Sequence, residues 1–349
     1  TFVLIPLSAQ ETNDTTAVKA DSTETKKTLS ELIKSSRKIE GLFTFFQDTV
    51  NGSVQMLIEK NQLNKEYIHF VHTLDGVVDV GHFRGAYKTS KIFEIRKYFN
   101  RLEFLSINTA YYFDPDNALS RAESANINAA VLVALVIVAT DDETGAMLIK
   151  VDDMFLSENL YQIKPAPKPE EKPGTRFALG SLNKKKCQYI ALNNYPLNSD
   201  VVIKYVYDNP TPTNRGGPGI TDPRAVHVVI QHSFIAVPEN DYTPRYDDPR
   251  VGYFMTQVTD LTSTSNTPYR DLIHRWNLIK KEPSAPISEP VEPIVFWIEN
   301  TTPTEFRPAV KEGVLRWNRA FRSAGFKNAV QVKIQSDVAE WNAGDIRYN

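Results

Sequence analysis

The chain has 349 residues, 42 acidic and 40 basic side chains, a net charge of −2, and 41% hydrophobic residues. That length accommodates two or three domains with cores of their own, and the near-neutral balance argues against a nucleic-acid partner or a polybasic membrane surface. Cys187 is the single cysteine, which excludes an internal disulfide, and no run reaches the roughly 20 apolar residues of a membrane helix.

Phe2 to Leu7 is an apolar run followed by Ser8-Ala9-Gln10. It reads as the tail of a secretory signal (1–10) cut near Ala9, and it predicts an exported protein with a longer precursor. Residues 11–38, rich in Thr, Ser, Lys, Asp and Glu, are expected to form a disordered leader with a short helix near Leu29 to Ile33. A small β-rich domain is expected over 39–76. There Asn51-Gly52 sits between the apolar runs 41–46 and 54–58, a strong hairpin signal, and Glu66 to His72 comes next as a strand. An antiparallel β-rich domain is expected over 77–279. Its short runs at 92–95, 102–107 and 110–113 lead to two hairpins, 129–139 with 146–151 and 201–207 with 226–237. The eleven apolar residues Ala129 to Ala139 read as a buried strand. Residues 280–293, with four prolines, read as an extended connector.

The last stretch, 294–349, opens with a strand, Ile294-Val295-Phe296-Trp297-Ile298. Val310, Val314, Trp317, Phe321 and Ala324 then recur at helical spacing as one inward stripe. Pro308 lies near the helix start and Gly325 at its left-handed end. Ala329 to Ile334 alternates like a second strand, and Gly344-Asp345-Ile346-Arg347-Tyr348 reads as the lead into a third. The fold class is therefore α+β and β-rich, antiparallel sheets followed by a strand–helix–strand.

No group of residues in the chain makes a catalytic or metal constellation. His69 and His72 are three apart, and His227 and His232 five apart, in strand-like sequence. Both spacings put the two rings on opposite faces. His82 and His274 stand alone, Cys187 lies in no latency-type motif, and Asp247-Asp248 between Arg245 and Arg250 reads as ion pairing rather than a calcium site. The loop Arg215 to Gly219 lacks the ending of a phosphate loop. Phe43, Phe45 and Phe46, with Tyr111, Tyr112 and Phe113, read as core and sheet-face aromatics. No residue is nominated as catalytic, cofactor-binding or metal-ligating.

The wording of the terminal region is more specific than its pattern. Residues 293–303 (PIVFWIENTTP), 310–321 (VKEGVLRWNRAF), 324–329 (AGFKNA) and 344–349 (GDIRYN) resemble a family of large exported bacterial zinc-dependent metalloproteases with a metzincin-like catalytic domain. So do Gln231-His232-Ser233, the run from Arg245 to Phe254, and Ser288-Glu289-Pro290-Val291. The resemblance implies two uncharacterised N-terminal domains, and then the start of a catalytic domain over 294–349. Its zinc helix, H-E-x-x-H-x-x-G-x-x-H, lies beyond Asn349. It further implies a zinc-activated water, peptide or protein substrates, and a portion that is inactive by itself. Two other classes stay open for the β-rich region: a surface module binding protein or glycan, or a fold-assisting or inhibitory prosegment.

Overall fold

The structure, a computed structural model, describes residues 27–348 apart from 167, 168, 171, 173 and 343. The expected signal tail, and the leader up to residue 26, lie outside the described residues. Residues 28–39 are already folded, although the leader was expected to run to 38. Helix α1 (Leu29–Leu32) is closed by a capping box in which Thr28 and Glu31 satisfy each other's backbone amides. Strand β1 (Ser36–Ile39) pairs with β2 (Thr44–Asp48).

Strands β3 (Val54–Ile58), β4 (Glu66–Asp75), β5 (Tyr87–Tyr98), β6 (Arg101–Ser106) and the two-residue β7 (Tyr111–Tyr112) come next. Then come β8 (Ala130–Thr140), β9 (Met147–Lys150), the short helix α2 (Asp152–Phe155), β10 (Ser181–Leu182), β11 (Gln188–Asn194), β12 (Asn198–Asp208) and β13 (Ala225–Ala236). All these strands except β7 form one antiparallel sheet in the order β1-β2-β3-β9-β8-β6-β5-β4-β13-β12, with β10 and β11 both paired to β12. The predicted hairpins are present. Asp48 accepts the amides of Val50 and Asn51, and Gly52 takes φ +75°, closing the turn between β2 and β3.

The expected division between 76 and 77 falls inside this sheet, because β4 pairs with β5 on one edge and β13 on the other. The sheet curls until its ends meet. Leu42 donates its amide to Tyr195 O at 2.7 Å, and Asn194 Nδ2 donates to Ile39 O and Phe43 O. One core fills the curl, drawn from Phe43, Phe45, Met56, Ile95, Leu102, Phe104, Phe155, Ile203 and Phe234. The apolar run of β8 is only partly buried: Val131 and Val136 are more than half exposed, Leu135 is fully in the core, and Leu132, Val133 and Ile137 pack against it half-buried. An antiparallel strand at the surface of a curled sheet covers the core with one face only.

After three two-residue strands, β14 (Met255–Thr256), β15 (Thr259–Asp260) and β16 (Leu272–Ile273), the chain enters 280–293. This stretch is folded back rather than extended. Lys281 donates its amide to Glu289 O, and Ser288 exchanges backbone bonds with Gly325 and Lys327. Strand β17 (Ile294–Ile298) pairs in parallel with β18 (Val330–Ile334) across helices α3 (Arg307–Leu315) and α4 (Asn318–Ser323). The helical pattern is therefore two segments, interrupted at Arg316-Trp317. Its inward face is displaced from the expected stripe, for Trp317 is 63% exposed and Val310 is exposed. Asn318 explains this, since its amide donates to Val330 O (2.8 Å) and accepts from Val330 N (2.9 Å), turning its own side of the helix toward β18. Gly325 ends α4 at φ +88°, as predicted. The segment expected to lead into a third strand forms one 3-10 turn, Ile346–Tyr348. Asp345 accepts the Arg347 amide through its side chain and the Tyr348 amide through its carbonyl.

Candidate functional site

Strands β4, β12 and β13 lie side by side, and polar residues collect on both of their faces. On the core face His69 Nε2 and His232 Nδ1 are 3.0 Å apart, His232 Nε2 and Tyr205 Oη 2.9 Å, and Tyr205 donates to Phe155 O at 2.7 Å. The direction of this chain is fixed by its last member. A carbonyl only accepts, so the Tyr205 proton goes to Phe155 and Tyr205 accepts from His232 Nε2. Neutral His232 then accepts through Nδ1 from His69. Burial draws His69 down to about 3 and His232 well below its ordinary value, so both rings are neutral. His82 is likewise committed, facing Thr73 Oγ1 at 3.1 Å and donating to Ile163 O at 2.9 Å.

On the outer face the register sets Gln231 beside His72 and Ser233 beside Asp200. The segment after β18 lies across them. Gln231 Nε2 donates to Gly344 O at 2.8 Å, and Arg347 makes a two-pronged pair with Asp345 while stacking 3.5 Å above the Tyr195 ring. Trp341 stacks on Tyr348 at 4.2 Å and meets Trp297 of β17 edge-on at 5.1 Å, tying the segment to the parallel pair. Burial is the main reason that the Asp200 carboxyl is pushed up to about 6, with the Asp345 carboxylate adding to it against bonds from Ser233 and Asn198. Burial also lowers His72. A second link joins Arg84, between β4 and β5, to Glu299 at the end of β17.

Beside this contact runs a groove of about 440 Å³, walled by Trp276, Leu278, Pro293, Trp297, Lys333 and Tyr348. Lys333 sits over the Trp297 ring at 5.2 Å. Exposed indole, phenol and cation side by side suit a planar or extended polar ligand.

The donor set does not fit zinc. Among the described residues no three His, Cys, Asp or Glu side chains converge as a metal site. The rings of His69, His232 and His82 are occupied by one another and by oxygens. The paired histidines do face opposite ways: His69 and His232 point inward, His72 and exposed His227 outward. Cys187 is buried and its thiol is pushed up by burial. Asp248 pairs with Arg250 at 2.6 Å and caps its own turn. Phe43, Phe45 and Phe46 are core.

Asp200, Tyr195 and the outer role of Gln231 escaped sequence reasoning. One signal was available, because Gln and Ser flanking an inward His on an apolar strand must point away from the core. The segments Gln231-His232-Ser233 and Gly344 to Tyr348, distant in sequence, touch each other. So do Ser288-Glu289 and Gly325 to Asn328.

Comparison with curated proteins and with solved structures finds no match. A family model, the domain of unknown function DUF5117, matches residues 88–281, from β5 to the start of the folded-back connector. That is more than half of the chain, which therefore belongs to the DUF5117 family.

Proposed function

We propose that this chain is the non-catalytic forepart of an exported zinc-dependent metallopeptidase, in which the curled sheet carries and orients the first elements of the catalytic domain. The observation that carries the reading is the open state of the β17–α3–α4–β18 unit. Phe296 and Ile334 on its two strands, and Phe306, Val310 and Trp317 on its helices and their caps, are each at least 42% exposed. Such a layer needs further elements to bury its apolar surface. The wording of 293–303, 310–321 and 344–349 supplies the class of domain that those elements would complete. In that domain the resemblance implies a zinc ion, which would supply an activated water for peptide-bond hydrolysis, and no residue of 1–349 is assigned to hold it. By the same resemblance the ligands and the base would come from sequence other than residues 1–349, and peptide or protein would be the substrate class.

The test uses the longer gene product. Changing the Glu of its zinc motif to Gln is expected to leave zinc bound and abolish peptide cleavage. A downstream sequence without the motif, or a variant that cuts normally, overturns the reading. A second reading, a surface module binding an extended peptide or glycan, is favoured by the Trp276–Trp297–Tyr348 groove. It predicts saturable binding that Trp276→Ala removes.

A further inference from the structure

Polar side chains on the outside of a sheet ordinarily face water. On β4, β12 and β13 they face the chain's own C-terminal segment instead: His72, Asn198, Asp200, Gln231 and Ser233 are all 6% exposed or less. Buried polar groups are usually bonded, yet this face is only partly bonded. Gln231 Nε2 reaches Ser233 Oγ and Gly344 O, and Asn198 donates to Asp200 at 3.0 Å. Both ring nitrogens of His72, and Oδ1 of Asp200, have no partner among the described residues.

The cover is nonetheless closely fitted. A Cβ added to Gly344 would stand 2.6 Å from His72 Nε2 and 2.7 Å from Leu74 Cδ2, so only glycine lets the backbone approach this near. Asp345, 9% exposed, braces Arg347 against Tyr195. The fit is specific, while the unsatisfied nitrogens and oxygen favour the state in which water reaches them.

We infer that the outer face of β4, β12 and β13 is a docking platform for the Gly344–Tyr348 segment, and that docking is reversible: a latch setting how the β17–β18 unit sits on the curled sheet. The partner is a segment of this chain. Glycine permits approach, its carbonyl meets Gln231, Asp345 holds the guanidinium, and Tyr195 receives it. None of this depends on what the terminal unit catalyses.

His72 is a built-in reporter, since its free nitrogens become reactive once uncovered. In the full chain at neutral pH, diethylpyrocarbonate should acylate exposed His227 quickly, and His69 and His232 hardly at all. His72 should react at a rate between them. Gly344→Val is expected to raise the His72 rate roughly tenfold or more by populating the undocked state, with His69 and His232 unchanged. If that variant also exposes His69 and His232, the sheet itself has opened. Arg347→Ala, which removes the cation stacked on Tyr195 and paired with Asp345, is then read in its place with the same expectation. A His72 that reacts like His227 in the unaltered chain overturns the platform. A His72 as inert as His69 in the unaltered chain overturns the reversibility, and a rate that the substitutions leave unmoved overturns the role of the segment.

Discussion

The two faces of strands β4, β12 and β13 carry polar clusters built on opposite terms. Inside, His69, His232 and Tyr205 form a directed chain in which each bond fixes the next, ending on a backbone carbonyl. Outside, His72 and Asp200 are also buried but leave three polar atoms without partners among the described residues. A buried network that closes its bonds specifies one packing, and one that does not is held together by whatever covers it. The first belongs to the core of the curled sheet. The second belongs to a contact between units.

Breaking the inner chain should do the most damage. His232→Ala leaves His69 Nε2 without its acceptor and Tyr205 with only its bond to Phe155 O, around a cavity, and should cost about 3–5 kcal/mol in stability, read by urea denaturation. A loss below about 1 kcal/mol would mean that the chain is incidental.

Acid separates the inner histidines from Asp200, because they respond with opposite sign. His69 and His232 have depressed values in the fold, so below about 6.5 the unfolded chain binds protons that the folded one refuses. Their contribution is lost as pH falls from there toward 3. Asp200 is raised to about 6, so the fold binds its proton more readily than the unfolded chain does. The stability it supplies is present below the ordinary Asp value and lost as pH rises through 6. Asp200→Asn should therefore stabilise the chain by on the order of 1–2 kcal/mol at pH 7.5 and bring no gain at pH 3.5. Thermal melts across that range check both signs.

The terminal unit should respond least. Trp317→Ser should shift the stability of this chain by less than about 0.5 kcal/mol, because the indole is mostly in water. In the longer protein that the proposed function calls for, the same change should cost several times more, as burial of an aromatic side chain is lost.

Much of the fold was legible because strands announce themselves locally. The Asn51-Gly52 turn and the 129–151 and 201–237 hairpins follow from period-two runs and turn chemistry, and Gly325 ends α4 where its position predicted. What escaped was set by contacts distant in sequence. No local pattern says that β4 pairs with both β5 and β13, joining 39–76 to 77–279 in one sheet. The helix stripe was misplaced because Asn318, a polar residue, faces the sheet to bond Val330. Histidine orientation was readable from strand period alone. The outer cluster was not, since Asp200 and Gly344 meet only through the tertiary fold.

Whether this chain is a non-catalytic forepart is decided by metal and hydrolysis assays on residues 1–349 and on the longer gene product side by side. One bound zinc per chain and peptide cleavage are expected of the longer protein, and neither of residues 1–349. A tightly held zinc in residues 1–349, lost on changing a single histidine, would contradict the forepart reading, as would a longer protein with neither property.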